Sequence, residues 1–169
     1  MRGQTIGKSM PHGYAGSYSR QPDMVVDTHP LSGSQPVTFG EALKYAVDGT
    51  VVPFGAGSAA GDFVGVAARE VKTSVNYLDQ NVGQYQPEEA VSVFKRGCIN
   101  VICQKGIPAL AGKVYVRITA NETYPNAKVG GFEAEADDDK TVELPGVQWR
   151  GGADGNGVAE VRILTMNKA

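Results

Sequence analysis

The sequence predicts an all-β protein, either a small antiparallel β-barrel or a jelly-roll-like sandwich, with an extended N-terminal arm. Three observations indicate this class. Apolar side chains follow the two-residue period of a β-strand over the stretch from Ala90 to Ile118. Glycine is abundant, at 22 of 169 residues, so turns are expected to be frequent. Apolar side chains at a helical spacing are scarce along the rest of the chain.

The stretch from Ala90 to Ile118 is predicted to form the centre of the sheet, as three short strands separated by glycine-containing breaks. We expect one face to carry the apolar side chains at odd positions: Val91, Val93, Ile99, Val101 and Cys103. Residues 95–97 interrupt this pattern in a way that is typical of a bulge or a tight turn. After Gly112 the alternation returns, with three further residues on one face: Val114, Val116 and Ile118.

Residues 1–36 are predicted to be the extended arm, and residues 37–169 the β domain. The arm lacks periodicity and is rich in Gly, Ser, Pro and Tyr, so by itself it cannot bury enough apolar area to offset its ordering entropy. Two interpretations remain open: the arm is disordered in solution, or it orders by lying on another subunit. The second is favoured because the arm carries apolar and aromatic anchors that a solvating tail does not need: Tyr14, Tyr18, Met24, Val25 and Val26.

The first part of the β domain combines an ambiguous segment with two strands. Residues 37–48 are compatible with a short helix, although Gly40 weakens that prediction. Residues 50–54 are predicted to be a strand that suits a sheet edge, and residues 63–70 a second strand. The small-residue loop 55–62 lacks the Lys-Ser/Thr pair of a phosphate-binding loop, so nucleotide binding is not expected there.

Residues 71–87 are predicted to be a long polar excursion between strands. Long loops in compact domains are usually functional or make contacts. Its Tyr77, Leu78 and Tyr85 favour contact with another molecule. These three residues and the five anchors of the arm form the predicted contact set.

The C-terminal third is predicted to be rich in turns and short strands. Residues 132–137, 141–144, 147–149 and 158–165 have strand-like patterns, the last reaching almost to the C-terminus. The contiguous acidic run 137–139 lacks the spacing of a calcium loop, so we expect a solvated hairpin tip. The alternation places several charged side chains on the face opposite the apolar ones: Glu133, Glu160 and Arg162.

Composition and charge exclude several function classes. The formal net charge of −2 gives no electrostatic reason to expect binding to nucleic acid or to an anionic membrane. No apolar run approaches the roughly 20 residues that span a bilayer, and the N-terminus lacks the apolar core of a secretory signal. Cys98 and Cys103 would face opposite sides of a regular strand, so we expect two reduced thiols in a protein made in a cytosol.

Catalytic and metal-binding constellations are not evident in the sequence. Its two histidines, His12 and His29, both lie in the predicted arm, where nothing holds a base against a nucleophile. The cysteines lack the spacing of a zinc site. We therefore predict a protein that is not an enzyme, with no catalytic residues, no metal and no cofactor.

Several segments, in their order along the chain, resemble the structural cement, or head decoration, proteins of tailed bacteriophages. They include the leader PDMVV, then VPFG, FVGVAARE, YQPEEAVSVFKRGCINV, AGKVYVRI and the terminal AEVRI, so that the resemblance covers roughly residues 50–163. It implies a compact β domain on the outer capsid surface of the virion, after synthesis in the host cytoplasm. There it would bridge neighbouring subunits of the major capsid protein and stabilise the head. The predicted contact set would then touch the capsid or another copy.

The resemblance implies the major capsid protein as a partner, and closed symmetry favours the protein itself as a second partner, in an isologous dimer or a trimer. An alternative function is a virion tail or surface β module that binds glycan or another protein. That alternative requires an exposed aromatic platform around Tyr77, Tyr85 or Trp149.

Overall fold

The structure is a computed structural model that describes residues 10–70 and 82–166. Within these residues the chain consists mainly of strands, which confirms the all-β prediction. Short 3₁₀ helices lie at Ala60–Asp62 and Asp138–Lys140, and no helix in the described ranges is long and apolar enough to cross a membrane. The strands, in chain order, are β1 (Tyr18–Pro30), β2 (Val37–Thr38), β3 (Ala42–Tyr45), β4 (Val51–Pro53), β5 (Phe63–Ala67), β6 (Gln84–Tyr85), β7 (Ala90–Ile102), β8 (Lys113–Arg117), β9 (Phe132–Glu133), β10 (Thr141–Trp149) and β11 (Val158–Ile163).

Nine strands form one antiparallel sheet in the order β4-β3-β5-β7-β11-β10-β8-β9, with β1 added on β7, and β2 pairs separately with β6. The sheet curls so that the residue just after the central strand β7, Cys103, makes an isolated bridge to Phe132 in the terminal strand β9. The amide of Gln104 extends this link by donating to the Phe132 carbonyl oxygen at 2.9 Å. The curl gives the sheet a concave side on which a core can form.

Strand β7 is the centre of the fold and pairs with β1, β5 and β11. It runs unbroken from Ala90 to Ile102, so of the two alternatives predicted at residues 95–97, a bulge or a tight turn, the turn is wrong. The predicted single apolar face is also wrong: Val91 and Val93 pack in one core cluster, Ile99 and Val101 in another. The pairing with β1 skips Lys95, which marks the interruption as a bulge. One extra residue in a strand reverses the faces of all residues after it.

Two groups of buried side chains make up the core, one on each face of the sheet at β5 and β7, where adjacent residues such as Val93 and Phe94 belong to different groups. The larger cluster includes Phe54, Phe63, Phe94, Ile99, Val101, Val116, Phe132, Leu144, Trp149 and Val161. The smaller contains Leu31, Val37, Leu43, Val51, Val64, Ala67, Tyr85, Val91 and Val93. Three aromatic rings of the larger cluster meet edge to face, with ring centroids 6.3 and 6.4 Å apart. Such contacts order a core beyond simple area burial.

Strand β1 brings part of the predicted arm into the sheet of its own chain. It pairs antiparallel with β7 from Tyr18 opposite Ile99 to Pro30 opposite Ala90, with irregular register between. Its anchors Tyr18, Met24 and Val26 pack against the larger cluster while remaining partly exposed. The sequence predicted order only on another subunit. In the structure the partner of β1 is instead β7 of the same chain, which β1 joins through backbone hydrogen bonds. Backbone pairing leaves no apolar period in the sequence, so the pattern of side chains did not predict it. The division of the chain at residue 36 stays a prediction.

Residues 37–48 form strands β2 and β3, so the helical interpretation is wrong. Gly40 has φ +86°, which is incompatible with a right-handed helix. Strand β3 then pairs on one side with β4 and on the other with β5. The predicted strands at 50–54, 63–70 and 158–165 are confirmed as β4, β5 and β11, and β4 lies at the sheet edge as expected.

Candidate functional site

Tyr14 is the most exposed of the predicted contact residues that the structure describes, with 66% of its surface accessible. The guanidinium carbon of Arg69 lies 4.5 Å from its ring centroid and 5.7 Å from that of Phe39. We call Tyr14, Phe39 and Arg69 the aromatic patch. A guanidinium stacked on a ring favours one orientation of both side chains. The sequence did not predict Arg69 or Phe39 as contact residues, because no pattern distinguishes either of them from an ordinary residue at the end of a strand.

The arm reaches the aromatic patch at Gly16, where its backbone lies close to the backbone of the sheet. Its amide donates to the Asn100 carbonyl at 2.7 Å, and its carbonyl accepts from the Arg69 amide at 2.8 Å. A Cβ at Gly16 would lie 2.8 Å from the Ala67 carbonyl oxygen, and φ is +78°. Only glycine fits such a position without displacing the backbone. Gly16, just before β1, is thereby fixed on the sheet next to Arg69.

Tyr18, close to the aromatic patch, contacts Glu70, which directly precedes the predicted excursion at residues 71–87. Its hydroxyl donates to a carboxylate oxygen of Glu70, and its ring lies 5.6 Å from that of Phe94 between centroids. Burial and this hydrogen bond raise the pKa of Tyr18, so the hydroxyl stays protonated. Glu70 is the last described residue before the excursion. The predicted contacts Tyr77 and Leu78 lie outside the described residues.

The remaining predicted contact residues differ in accessibility. Met24, Val25 and Val26 are half-buried on β1. Tyr85 is 1% exposed, and its hydroxyl donates to the Ala68 carbonyl at 2.6 Å, so its predicted contact role is wrong. Trp149 is also 1% exposed, inside the larger core cluster. An aromatic platform that includes Tyr85 or Trp149 is therefore wrong as well, because both rings serve the core.

A buried charged cluster joins β8, β9 and the acidic run. Arg117 and Glu133 are both fully buried, and Nε of the arginine donates to Oε1 of the glutamate at 2.6 Å. Arg117 Nη2 also lies 2.8 Å from Asp137 Oδ2, and Lys105 Nζ lies 3.2 Å from Asp137 Oδ1. Asn121 Nδ2 donates to Asp137 Oδ2 at 2.9 Å. Alternation alone placed Glu133 opposite the apolar face but gave no sign that this face is also covered.

These partners stabilise the charged form of Asp137. The amide of Asn121, followed by Arg117 and Lys105, lowers the pKa of Asp137 to about 2. Asp137 is thus a structural acceptor, whereas its neighbours Asp138 and Asp139 are exposed. The prediction of a solvated tip is wrong for the first of the three acids only.

Charged pairs also connect β1 to the sheet, and sequence patterns did not indicate them. Lys95, whose side chain is 2% exposed, donates to Asp27 at 2.9 Å and to the Tyr45 hydroxyl at 3.0 Å. Arg20 Nε donates to Glu160 Oε1 at 2.7 Å. Glu160 is buried rather than solvated, because β1 covers the face of the sheet on which the Glu160 side chain lies.

The described residues offer no nucleophile or metal centre of the kinds that the sequence search considered. Cys98 and Cys103 are free thiols, and burial raises the pKa of both. A protonated thiol is a poor nucleophile and a poor ligand. Across residues 10–70 and 82–166, no three His, Cys, Asp or Glu side chains gather as metal ligands.

The curled antiparallel sheet places the chain in the all-β class of proteins. Comparison with known proteins gives the family. The family model described as structural cement protein (E217 gp24/Pam3 gp6) matches residues 3–164, and this chain belongs to that family of phage structural proteins. A chain in the solved structure "The capsid of Myoviridae Phage XM1" has a similar fold, with a TM-score of 0.71 and 15% identity over 98% of this chain and 99% of that one. A search of curated proteins found no match.

Proposed function

We propose that this protein binds the outer surface of a phage capsid and joins neighbouring subunits of the major capsid protein. The observation that carries the proposal is the match of the structural cement family model to nearly the whole chain. A protein that binds the assembled shell but not its free subunits stabilises the shell by mass action. Many copies, each with a modest interface, suffice for this effect.

The aromatic patch is the proposed capsid contact. Tyrosine and arginine are enriched among the residues that dominate interface energy. The Tyr14 ring is exposed and already oriented by Arg69, so little side-chain entropy is lost when it binds. Residues 1–36 retain their proposed attachment role, with the half-buried β1 anchors beside the patch. Tyr77 and Leu78 stay predicted contacts.

Imaging of intact particles tests the function directly. Phage particles that carry this chain are purified and examined by electron cryo-microscopy, and copies are counted by quantitative mass spectrometry. We expect density for the chain outside the shell, in a fixed ratio to the major capsid protein. Particles that lack the chain, or that hold it inside the shell, would contradict the proposal.

A matched pair of tyrosines tests the contact surface. Tyr124 is also exposed and also has a cation over its ring, with Lys105 Nζ 4.6 Å from the centroid. Particles stripped of the protein are titrated with wild type, Tyr14→Ala and Tyr124→Ala. Loss of an interface hot spot costs about 2 kcal/mol or more, so Tyr14→Ala should bind at least about 30-fold more weakly. Equal losses for both variants would show that the aromatic patch is not the contact.

A further inference from the structure

A groove of about 360 Å³ adjoins the aromatic patch, and Phe39 belongs to both. The arm contributes Ala15, the residue after Tyr14, and the end of β7 contributes Ile102. The lining includes one acidic and one basic side chain, Glu41 and Lys128. A partner that binds the aromatic patch therefore also excludes water from the groove, so the charges of the groove limit what that partner carries.

Glu41 enters the groove from the same tight turn that presents Phe39. The Glu41 amide donates to the Thr38 carbonyl at 3.2 Å, and the Thr38 amide donates to Glu41 Oε2 at 3.0 Å. Gly40, with φ +86°, completes the turn between β2 and β3. The turn fixes Phe39 and Glu41 relative to each other, so contact with the ring brings a partner close to the carboxylate.

The backbone at Lys128 is also fixed, by the side chain of Gln104. Gln104 Nε2 donates to the Lys128 carbonyl at 3.0 Å, and the Lys128 amide donates to Gln104 Oε1 at 2.6 Å. The side chain of Lys128 itself is exposed. A groove whose walls are held before binding loses little conformational entropy when it is filled.

Glu41 is a half-buried carboxylate that forms no ion pair with any residue in the ranges 10–70 and 82–166. Burial raises the pKa of Glu41, because the hydrogen bonds with Thr38 and the charge of Lys128 offset the lost hydration only in part. The other titratable or charged groups nearby are Cys103 in the lining and Arg69 beside the Phe39 ring. Further burial of Glu41 by a partner is costly unless a cation compensates for the water that is lost.

We propose that the partner on the aromatic patch places a lysine or arginine side chain in this groove, where it pairs with Glu41. The inference rests on the proposed capsid contact, so the side chain belongs to a basic segment of the major capsid protein. The groove has room for a long side chain, since its volume lies at the lower end of the range for pockets that enclose a small ligand. The exposed amide groups of Asn126 and Asn156, also in the lining, offer acceptors for the remaining N–H groups of such a cation.

Glu41→Gln tests the pair, because the new amide oxygen still accepts from Thr38 while the charge is lost. Particles stripped of the protein are titrated with wild type, Glu41→Gln and Asp139→Asn. The last variant is the matched control, since it neutralises a 90% exposed carboxylate outside the groove. Glu41→Gln should bind at least about 30-fold more weakly than wild type, as expected when one member of a buried charged pair is removed. Asp139→Asn should bind like wild type, and a Glu41→Gln variant that binds as tightly as wild type would overturn the proposal.

The sign of the pH dependence gives a second readout. Pairing with a cation lowers the pKa of Glu41 in the complex, so its contribution to affinity is complete above the pKa of the free protein and is lost as pH falls below it. Wild type should therefore lose more affinity than Glu41→Gln between about pH 8 and about pH 5. Burial without a cation favours the protonated carboxyl instead, so a wild type that gains affinity in acid relative to Glu41→Gln would overturn the proposal.

Lys128→Gln provides a test that does not depend on the folding of Glu41→Gln. This variant keeps the backbone bonds to Gln104 and removes a cation that a basic side chain would meet in the groove, so it should bind roughly 2- to 5-fold more tightly. Weaker binding would mean that the partner presents an acidic side chain, and would overturn the proposal. Failure of wild type to bind particles would contradict the proposed function and this inference together, whereas binding by wild type that ignores the charge at Glu41 contradicts this inference alone.

Discussion

The carbonyl oxygen of Asp23 lies directly over the α-carbon of Gly97, where β1 crosses the bulged part of β7. A Cβ built at Gly97 would overlap that oxygen, and the residue has φ +112°. Four residues of β1, 21–24, span the stretch of β7 that this one glycine occupies, between the pairs Arg20–Cys98 and Val25–Arg96. Gly97 is therefore the position at which the backbone of β1 comes into close contact with β7.

Gly97→Ala is expected to destabilise the protein by about 2–4 kcal/mol, because the new methyl group meets backbone and the φ angle is unfavourable for alanine. Urea denaturation followed by Trp149 fluorescence measures the loss. Gly33→Ala is the control, since a Cβ there meets nothing within 4 Å although φ is also positive. Equal effects at the two glycines would mean that φ alone, and not the crossing, sets the requirement.

Asp27→Ala should weaken the attachment of β1. Lys95 is nearly inaccessible, and without Asp27 its charge retains, among the described residues, the Tyr45 hydroxyl as its one hydrogen-bond partner. We expect a loss of about 1–3 kcal/mol in unfolding free energy, together with faster amide exchange in β1. Asp23→Ala removes a half-exposed partner of Arg96 and should cost less than about 1 kcal/mol. A larger loss for Asp23→Ala than for Asp27→Ala would contradict this interpretation of Lys95.

Glu133→Ala should be among the most damaging substitutions in the sheet. It leaves the fully buried guanidinium of Arg117 with Asp137 as its remaining acidic partner. Removing one member of a buried pair typically costs about 3–5 kcal/mol. Glu143→Ala, which breaks the exposed pair with Lys113, should cost at most about 1 kcal/mol. Chemical denaturation compares the two, and similar losses would show that burial adds nothing to the Arg117 pair.

Asp137 predicts a specific dependence of stability on acid. Its pKa is about 2 in the folded protein, below the value of about 3.9 for an unperturbed aspartate. The unfolded state therefore binds a proton first as pH falls, and the stabilisation present above about pH 4 is lost as pH falls through about 2. Asp137→Asn should flatten the difference in stability between pH 5 and pH 2.5. A variant with the same acid dependence as wild type would exclude Asp137 as a contributor.

The all-β class and several strands followed from the sequence because alternation is a local property. Strands β4, β5 and β11 are short, and each carries its pattern within a few residues. The bulge in β7 was located at residues 95–97, but its consequence was not predicted. The reversal of faces depends on which residue the partner strand skips, and β1 had not been identified as that partner.

The contact surface was predictable only in part, since accessibility depends on long-range packing. Tyr14 was identified as an anchor and is exposed, whereas Tyr85 has the same residue type in a similar polar setting and is buried. Arg69 lies beside Tyr14 because its amide donates a backbone hydrogen bond to Gly16, which is more than fifty residues earlier in the chain.

The pairing of β1 with β7 has a consequence for biosynthesis. Tyr18 lies opposite Ile99, so the two partners are separated by about 80 residues of chain, and contacts of such long range form slowly. Because β1 leaves the ribosome well before β7 has been synthesised, β1 remains unpaired until the middle of the chain has been made. Completion of the sheet is therefore a late event, and crowded nascent chains are most prone to pairing with one another during that interval.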